Sequence, residues 1–140
     1  MPVRRAEVEV HTERGWQRAA IFLAPHCSPA DFFEEEAPFF PAEEDGKIRL
    51  YARSSLVSLA IEAGDDAPES LAALGVAYEA RPVAVHFRTG EVLKGVLMSL
   101  SGLTRTLDLV NESSRSFVVH AGGRIHHVSK AHVHCIEELQ

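Results

Sequence analysis

The C-terminal part of this chain is rich in histidine, the side chain that most often binds metal ions in its neutral form. Five of the eight histidines lie there, namely His120, His126, His127, His132 and His134. His132 and His134 would point to the same face of a β-strand, and His126 could join them from a neighbouring strand. A zinc or nickel site at these three residues is one hypothesis. Because no carboxylate accompanies the set, ordinary surface histidines or a pH-sensitive surface would explain it as well.

Other residues that could perform catalysis are poorly placed for it. Cys27 follows His26, but adjacent residues seldom orient as nucleophile and base. The serine-rich run 113–116 lacks the glycines of a nucleophile elbow, and the sequence contains no phosphate-binding loop or dinucleotide-binding motif. Cys27 and Cys135 are the two cysteines, without the spacing of a disulfide framework or a structural zinc site. We expect a protein that is not an enzyme and binds no cofactor.

An aromatic and acidic segment, residues 31–41, contains four phenylalanines, three consecutive glutamates and two prolines. A domain of about 60 residues cannot easily bury so many aromatic rings. The segment therefore predicts an exposed docking patch for another protein, with Phe32, Phe33 and Phe39 as candidate contacts. Alternatively, Phe32 and Phe33 cap one end of the fold, which would leave Phe39 as the exposed ring.

Composition and charge favour a globular, soluble protein that binds other proteins. The chain has 140 residues, of which 46% are hydrophobic, and a formal net charge of −6. This charge disfavours nonspecific binding to nucleic acid or to an anionic membrane. The sequence has no apolar run approaching the roughly 18 residues of a membrane span, and no apolar region follows its first arginines. We expect a cytoplasmic protein that does not enter membranes.

The two halves of the chain repeat one pattern of apolar residues and turn glycines. At one constant spacing the identical pairs are Val8 and Val83, Val10 and Val85, His11 and His86, and Gly15 and Gly90. After a two-residue insertion the spacing is again constant, and the identical pairs are Asp31 and Asp108, Phe40 and Phe117, and Ile48 and Ile125. Because the matches keep the same order along both halves, they predict an internal duplication.

Within each half, the alternation of apolar and polar residues predicts five short strands. In the first half they span residues 7–12, 18–24, 39–42, 47–52 and 56–62. In the second half they span residues 83–87, 92–98, 116–120, 124–128 and 132–136. Gly95 lies inside a strand, where a glycine permits the bulge or bend that a strand needs to curl around a small barrel. The predicted fold is mainly β, with two tandem five-stranded small barrels.

The first barrel is assigned to residues 1–63 and the second to residues 81–140. Residues 64–80 connect them, and a helix-start signal at 66–69 predicts that this connector forms a short helix. A barrel of about 60 residues buries little surface on its own. We therefore expect the two barrels to pack as one pseudo-twofold unit.

The second half resembles the Sm/LSm-like family of small SH3-like barrels. The resemblance lies in residues 85–97, VHFRTGEVLKGVL, followed by residues 107–111, LDLVN, and in residues 125–136, IHHVSKAHVHCI. The first half is a degraded version, with Ala20 in the place of Gly95. The whole chain is also similar to a bacterial domain of unknown function that occurs in this tandem form.

The resemblance implies RNA binding, with Asn111, Arg115 and Lys130 as the residues at the nucleotide site. The sequence departs from the family pattern there. Leu109 stands where a stacking aromatic ring or histidine is expected, and Ser129-Lys130-Ala131 replaces the basic residue and glycine of the phosphate-binding turn. RNA binding is therefore the second hypothesis.

Members of that family pair the fourth strand of one unit with the fifth strand of the next. A small open barrel in this chain would likewise expose strand edges to a partner. We expect a homo-oligomer, with a dimer favoured because the duplicated chain already supplies two barrels. The leading hypothesis is an adaptor that binds a protein of unidentified type through aromatic loops and strand edges.

Overall fold

Antiparallel strands joined side by side in one open sheet make up most of the computed structural model, which describes residues 3–62, 79–99, 105–112 and 114–139. The strands of the first half are β1 (Arg4–Thr12), β2 (Gly15–Leu23), β3 (Phe39–Glu44), β4 (Lys47–Ala52) and β5 (Leu56–Glu62). Those of the second half are β6 (Glu79–Phe87), β7 (Val92–Ser99), β8 (Ser116–Ala121), β9 (Arg124–Ser129) and β10 (Val133–Glu138). The mainly β fold is therefore confirmed.

In the part of the chain that the structure describes, two short helices and two single turns of 3-10 helix interrupt the strands. The helices are α1 (Pro29–Glu34) and α2 (Thr106–Val110), and the 3-10 turns are Arg53–Ser55 and Lys130–His132. None of the helices in the described ranges has the length and apolar composition that a membrane crossing requires. The connector helix expected within residues 64–80 lies outside the described residues, except for the last two positions, which begin β6.

The predicted strands match the observed ones closely, and β4 and β5 have the predicted bounds. Two differences have local causes. β1 and β6 begin several residues earlier than predicted, because pairing with β2 and β7 continues to their N-terminal ends. The last strand begins at Val133 and not at His132, because residues Lys130–His132 form a 3-10 turn.

The order of strands across the sheet is β10-β6-β7-β8-β9-β5-β1-β2-β3-β4. Each half has the same internal order, with its fifth strand beside its first and its fourth at the other end. The halves meet where β5 pairs with β9, from Ser58 opposite Val128 to Glu62 opposite Arg124. This junction joins non-equivalent strands, so it gives no support to a two-fold relation between the halves.

Each half has its own hydrophobic cluster. The first contains Val8, Val10, Ala19, Ile21, Leu23, Phe32, Phe33, Phe40, Ala42, Leu56 and Leu59. The second contains Val83, Val85, Phe87, Leu97, Phe117, Val119 and Val128, together with Val57 from the first half. Because Val57 is flanked in β5 by Leu56, which packs into the first cluster, this strand separates the two clusters and contributes to both.

Gly95 allows β7 to lie unusually close to β8. A Cβ atom at this position would lie 2.5 Å from the carbonyl oxygen of His120 and 2.7 Å from a methyl group of Val119. Neither a backbone oxygen nor a fully buried valine can move away cheaply. The sequence predicts a bulge or bend at Gly95, but the pairing of β7 with β6 runs through this residue without a shift of register. The structure gives the glycine a steric reason, the close approach of β7 to β8.

The first prediction concerns this close approach. Gly95→Ala should lower the free energy of unfolding by about 2 kcal/mol, because the added methyl group overpacks the contact between β7 and β8. Urea denaturation followed by circular dichroism would measure the change. Lys94→Ala, at the exposed neighbouring position, is the matched control and should have little effect. Equal stability of the two variants would contradict the steric explanation.

Candidate protein-binding surface

Helix α1 buries two of the three aromatic side chains that were expected to dock a partner. Ser28 and Asp31 form a capping box at its N-terminus, and Pro29 opens its first turn. The helix turns Phe32 and Phe33 inward, where their exposed fractions are 2% and 6%. They therefore cap the first hydrophobic cluster, as in the alternative interpretation, and cannot contact a partner in this conformation.

Arg53 holds this cap closed. Its guanidinium group lies over the ring of Phe32, 4.6 Å from the ring centre. It also donates hydrogen bonds to the carbonyl oxygens of Phe32 and Ala37 at 2.7 Å each, and forms an ion pair with Glu35. Burial among these groups lowers the pKa of Arg53. Arg53 is thus a structural residue of the first half.

Phe39 is exposed, as expected, and two further apolar side chains accompany it. The tight turn at Asp45-Gly46, where both residues have positive φ, joins β3 to β4 as a hairpin. In this hairpin Pro41 lies opposite Leu50, and alternation along the strands places Phe39, Ile48 and Leu50 on the same face. Their exposed fractions are 59%, 57% and 69%. We call Phe39, Pro41, Ile48 and Leu50 the β4 patch.

The repeat shows why the exposure of Ile48 and Leu50 is unusual. In the register that relates Phe40 to Phe117, Ile48 corresponds to Ile125 and Leu50 corresponds to His127. Ile125 and His127 on β9 are each only 7% exposed, because β5 pairs alongside them. Strand β4 ends the sheet, so among the described residues no strand covers its outer side. Sequence reasoning matched Ile48 with Ile125 in the repeat and did not single out Ile48 or Leu50, so it found only Phe39 of the β4 patch.

The other end of the sheet, β10, presents a groove. Its lining residues are Thr106, Leu107, Val110, Val133, Cys135, Ile136 and Glu138, and its volume is about 530 Å³. Helix α2 forms one wall, from which Leu107 projects with 56% exposure. We call this feature the β10 groove. Among the described residues, both ends of the sheet therefore combine an unpaired strand edge with exposed apolar side chains.

A buried polar cluster fixes the junction between the halves. His11, 1% exposed, lies within 3.1 Å of the Ser58 hydroxyl through Nδ1 and within 3.0 Å of a Glu91 carboxylate oxygen through Nε2. The ring of His11 stacks on Trp16, with 4.3 Å between ring centres, and Trp16 meets His126 edge to face. Glu91 and His126 belong to the second half, so this cluster aligns the halves as well as holding them together.

An ion pair reinforces the same junction. Arg124 at the start of β9 lies 2.5 Å from Glu9 of β1, and 3.9 Å from Glu62 of β5. The hydrogen bond from Arg124 lowers the pKa of Glu9 and raises that of Arg124. Both side chains are about one-third exposed, so the ion pair adds little to the free energy of unfolding. Its main effect is to orient β9 relative to β1.

The residues expected to bind RNA are only partly brought together. Arg115 and Lys130 line one cavity of about 480 Å³, which Arg53 also lines. Asn111 lies at the end of α2 and is not among its lining residues. The Lys130 ammonium group donates to the Glu112 carbonyl oxygen at 2.6 Å. Glu35 and Glu36 line the same cavity, so its charge is mixed.

The three histidines of the metal hypothesis do not converge. His126 is buried on β9, while His134 is exposed on β10, which lies at the far end of the second half of the sheet. His132 lies in the 3-10 turn, and its Nε2 is 2.7 Å from the Ser54 carbonyl oxygen. Its expected place on one strand face with His134 is therefore wrong. Within the described ranges, no group of three or more histidine, cysteine, aspartate or glutamate side chains could hold a metal ion.

Burial lowers the pKa of both histidines on β9. Desolvation lowers the pKa of His127 to about 4, with a smaller contribution from charge on His120 and His126. Desolvation likewise lowers the pKa of His126. The Nδ1 atom of His127 has no hydrogen-bond partner among the described residues. Both rings are therefore neutral in the folded protein at pH 7.

The second prediction follows from this lowered pKa. Unfolding frees His127 to bind a proton with its ordinary pKa of about 6.5, so folding stability should fall as the pH drops from about 6.5 to about 4. His127→Asn removes the titrating group and should reduce this fall by about 3 kcal/mol. Urea denaturation at a series of pH values would measure it. His134→Asn, at an exposed position, is the control and should keep the wild-type pH dependence; an unchanged slope in His127→Asn would contradict the prediction.

Comparisons of the chain with models of protein families, with curated proteins and with solved structures found no match. The function is therefore inferred from the surfaces of the molecule itself.

Proposed function

We propose that this chain is a non-catalytic adaptor that binds another protein chain through the β4 patch and the open edge of β4. Strand edges bind partners by backbone hydrogen bonds, and adjacent apolar side chains add affinity and selectivity. The observation that carries the proposal is the exposure of Ile48 and Leu50 at positions that are buried in the other half. Covering one such side chain stabilises a complex by roughly 1.5 to 3 kcal/mol.

The charges of β4 support binding to a specific partner. Lys47 and Arg49 alternate with the apolar residues Ile48 and Leu50, and all four side chains are exposed. Charged residues on an edge strand discourage indiscriminate pairing with other edges. Arg49 lies 3.4 Å from the Glu44 carboxylate of the same hairpin. A partner that supplies both apolar groups and carboxylates would match the exposed side chains of this edge.

The finer architecture belongs to the same proposal. We infer that each half curls into a small barrel of the Sm-like type, supported by the identical strand order of the halves and by their separate hydrophobic clusters.

A cytoplasmic location is supported by the two free cysteines, of which Cys135 is exposed, because exposed thiols suit a reducing compartment.

The third prediction tests the adaptor function. An immobilised wild-type chain should recover a specific protein from a lysate of its source cells, and Leu50→Lys should reduce the recovery at least about tenfold, because the charge replaces a buried apolar contact. Quantitative mass spectrometry would measure recovery. Val92→Lys is the matched control, since Val92 is also an exposed aliphatic residue, 46% exposed, outside the β4 patch. Equal recovery by all three chains would refute a role for this patch.

RNA binding is the second candidate function, favoured by one observation. Arg53, Arg115 and Lys130 line the same cavity, and two of them come from the second half and one from the first. Arg115 and Lys130 beside one cavity could hold a phosphate group, with Arg53 adding positive charge nearby while its own hydrogen bonds go to Phe32 and Ala37. The carboxylates of Glu35 and Glu36 in its lining weaken this attraction, which is why the adaptor function is preferred.

The fourth prediction separates this candidate from the first. If the cavity binds RNA, a fluorescently labelled single-stranded oligonucleotide should show increased anisotropy at low salt, with an affinity that falls steeply as salt rises. Lys130→Ala should lower the slope of that dependence by about 0.7, whereas Lys94→Ala should not. Unchanged anisotropy at low salt with mixed-sequence RNA would remove RNA binding from consideration.

A further inference from the structure

A cavity of about 370 Å³ lies between helix α1 of the first half and strands β7 and β8 of the second half. Helix α1 contributes Asp31 and Glu34 to its lining, and the second half contributes apolar side chains. The apolar lining residues that are only half-buried are Met98, Leu109, Val110 and Val118. We call this feature the α1 cavity. Its volume lies within the range of roughly 300 to 1,000 Å³ in which proteins bind small molecules.

Among the described residues, every charged side chain that lines the α1 cavity is a carboxylate. The three acidic residues are Asp31, Glu34 and Glu112, and no lysine, arginine or histidine lines the cavity with them. The ammonium group of Lys130 bonds to the backbone carbonyl oxygen of Glu112, and Lys130 lines the other cavity, whose charge is mixed. The α1 cavity is therefore uniformly acidic, and its potential attracts cations.

These carboxylates keep oxygen atoms available for a ligand. Asp31 accepts hydrogen bonds from Ser28 through Oδ2, and Glu34 accepts the backbone N–H of Arg115 through Oε1 at 2.5 Å. Within the described ranges, the second oxygen of each group and the whole Glu112 carboxylate have no hydrogen-bond or ion-pair partner. Two of the three carboxylates are thus held in position by the fold while they still present an acceptor to the cavity.

A buried hydroxyl group adds a neutral polar group to the same lining. Ser116 begins β8, lines the α1 cavity and is only 6% exposed. Its Oγ atom forms no hydrogen bond with any residue that the structure describes. Because buried hydroxyl groups are normally hydrogen-bonded, this serine indicates that a polar group of a ligand is its partner.

The arrangement of the carboxylates favours several separate positive charges over a single ion. Within the described ranges, no group of three or more histidine, cysteine, aspartate or glutamate side chains could hold a metal ion. Asp31, Glu34 and Glu112 therefore do not converge on one point. A metal ion would also leave the apolar lining in contact with water, and a neutral apolar molecule would remove water from carboxylates without compensating their charge.

We propose that the α1 cavity binds a linear aliphatic polyamine, a molecule whose ammonium groups are separated by short methylene segments. The ammonium groups pair with the three carboxylates, and one N–H group donates to the Ser116 hydroxyl. The methylene segments cover Met98 and Leu109, as the stem of a lysine side chain covers apolar surface. This site is separate from the β4 patch, so it is a second binding function and does not rest on the adaptor function.

The fifth prediction uses spermidine, a linear triamine, as the probe. Isothermal titration calorimetry should show one spermidine bound per chain, and binding should raise the Tm of the protein. In α,ω-diaminooctane a methylene group replaces the central ammonium group of spermidine at the same chain length. It should bind about threefold to fivefold more weakly, because one charge pair is lost. Mg²⁺, which has no apolar part, should bind more weakly than either amine.

Two double variants with the same change of net charge provide the matched control. Glu34→Gln with Glu112→Gln should weaken spermidine binding about tenfold, and a glutamine oxygen at position 34 still accepts the N–H of Arg115. Glu13→Gln with Glu138→Gln changes exposed residues outside the cavity and should leave the Kd within about twofold. Circular dichroism would verify folding. Glu112→Gln alone breaks no contact among the described residues and should weaken binding about threefold, which provides a test if the first double variant does not fold.

Three outcomes would overturn the polyamine site. The first is no binding of spermidine by calorimetry together with an unchanged Tm. The second is an equal loss of affinity in the two double variants, which would show only general attraction between an acidic protein and a cation. The third is binding of Mg²⁺ as tight as that of spermidine, because the apolar lining would then contribute nothing.

Discussion

The pairing of β5 with β9 is the contact on which the rest of the structure depends. Every residue of β5 from Leu56 to Ala60 is buried, because the strand lies between the two hydrophobic clusters. The pairing also brings the second half against His11, which lies within hydrogen-bonding distance of Ser58 on one side and Glu91 on the other. A chain of this size with two small clusters gains stability by sharing one continuous sheet, since neither half alone buries much apolar surface.

Much of the fold could be predicted because its signals are local. Alternation with a period of two residues and turn glycines located each of the described strands, and they gave the exact bounds of β4 and β5. Helix α1 was missed although Ser28 and Asp31 are a recognisable capping pair. So short a helix has little intrinsic stability, and it forms here because Phe32 and Phe33 pack into the first cluster. That contact involves residues distant in sequence, which periodicity does not report.

The candidate site was less predictable for a related reason. Phe39 was identified because it has no apolar counterpart in the second half. Ile48 and Leu50 were not, because the repeat equates them with positions whose burial depends on the β5–β9 junction. The same junction buries His126 and His127, which the sequence presented as possible metal ligands or surface groups. Residue type and spacing are properties of one strand, whereas exposure depends on which strand lies beside it.

The two halves of the chain are joined through non-equivalent strands, and this determines which strand edges remain unpaired. A two-fold junction would leave two edges of the same kind, but this junction leaves one fourth strand and one fifth strand. The fourth strand carries Lys47 and Arg49, and the fifth carries Glu137 and Glu138. Like charges would oppose pairing of β4 with β4 or of β10 with β10, and opposite charges favour β4 with β10. The charge pattern of the two edge strands therefore opposes contacts between like strands, in addition to the steric and packing differences that distinguish β4 from β10.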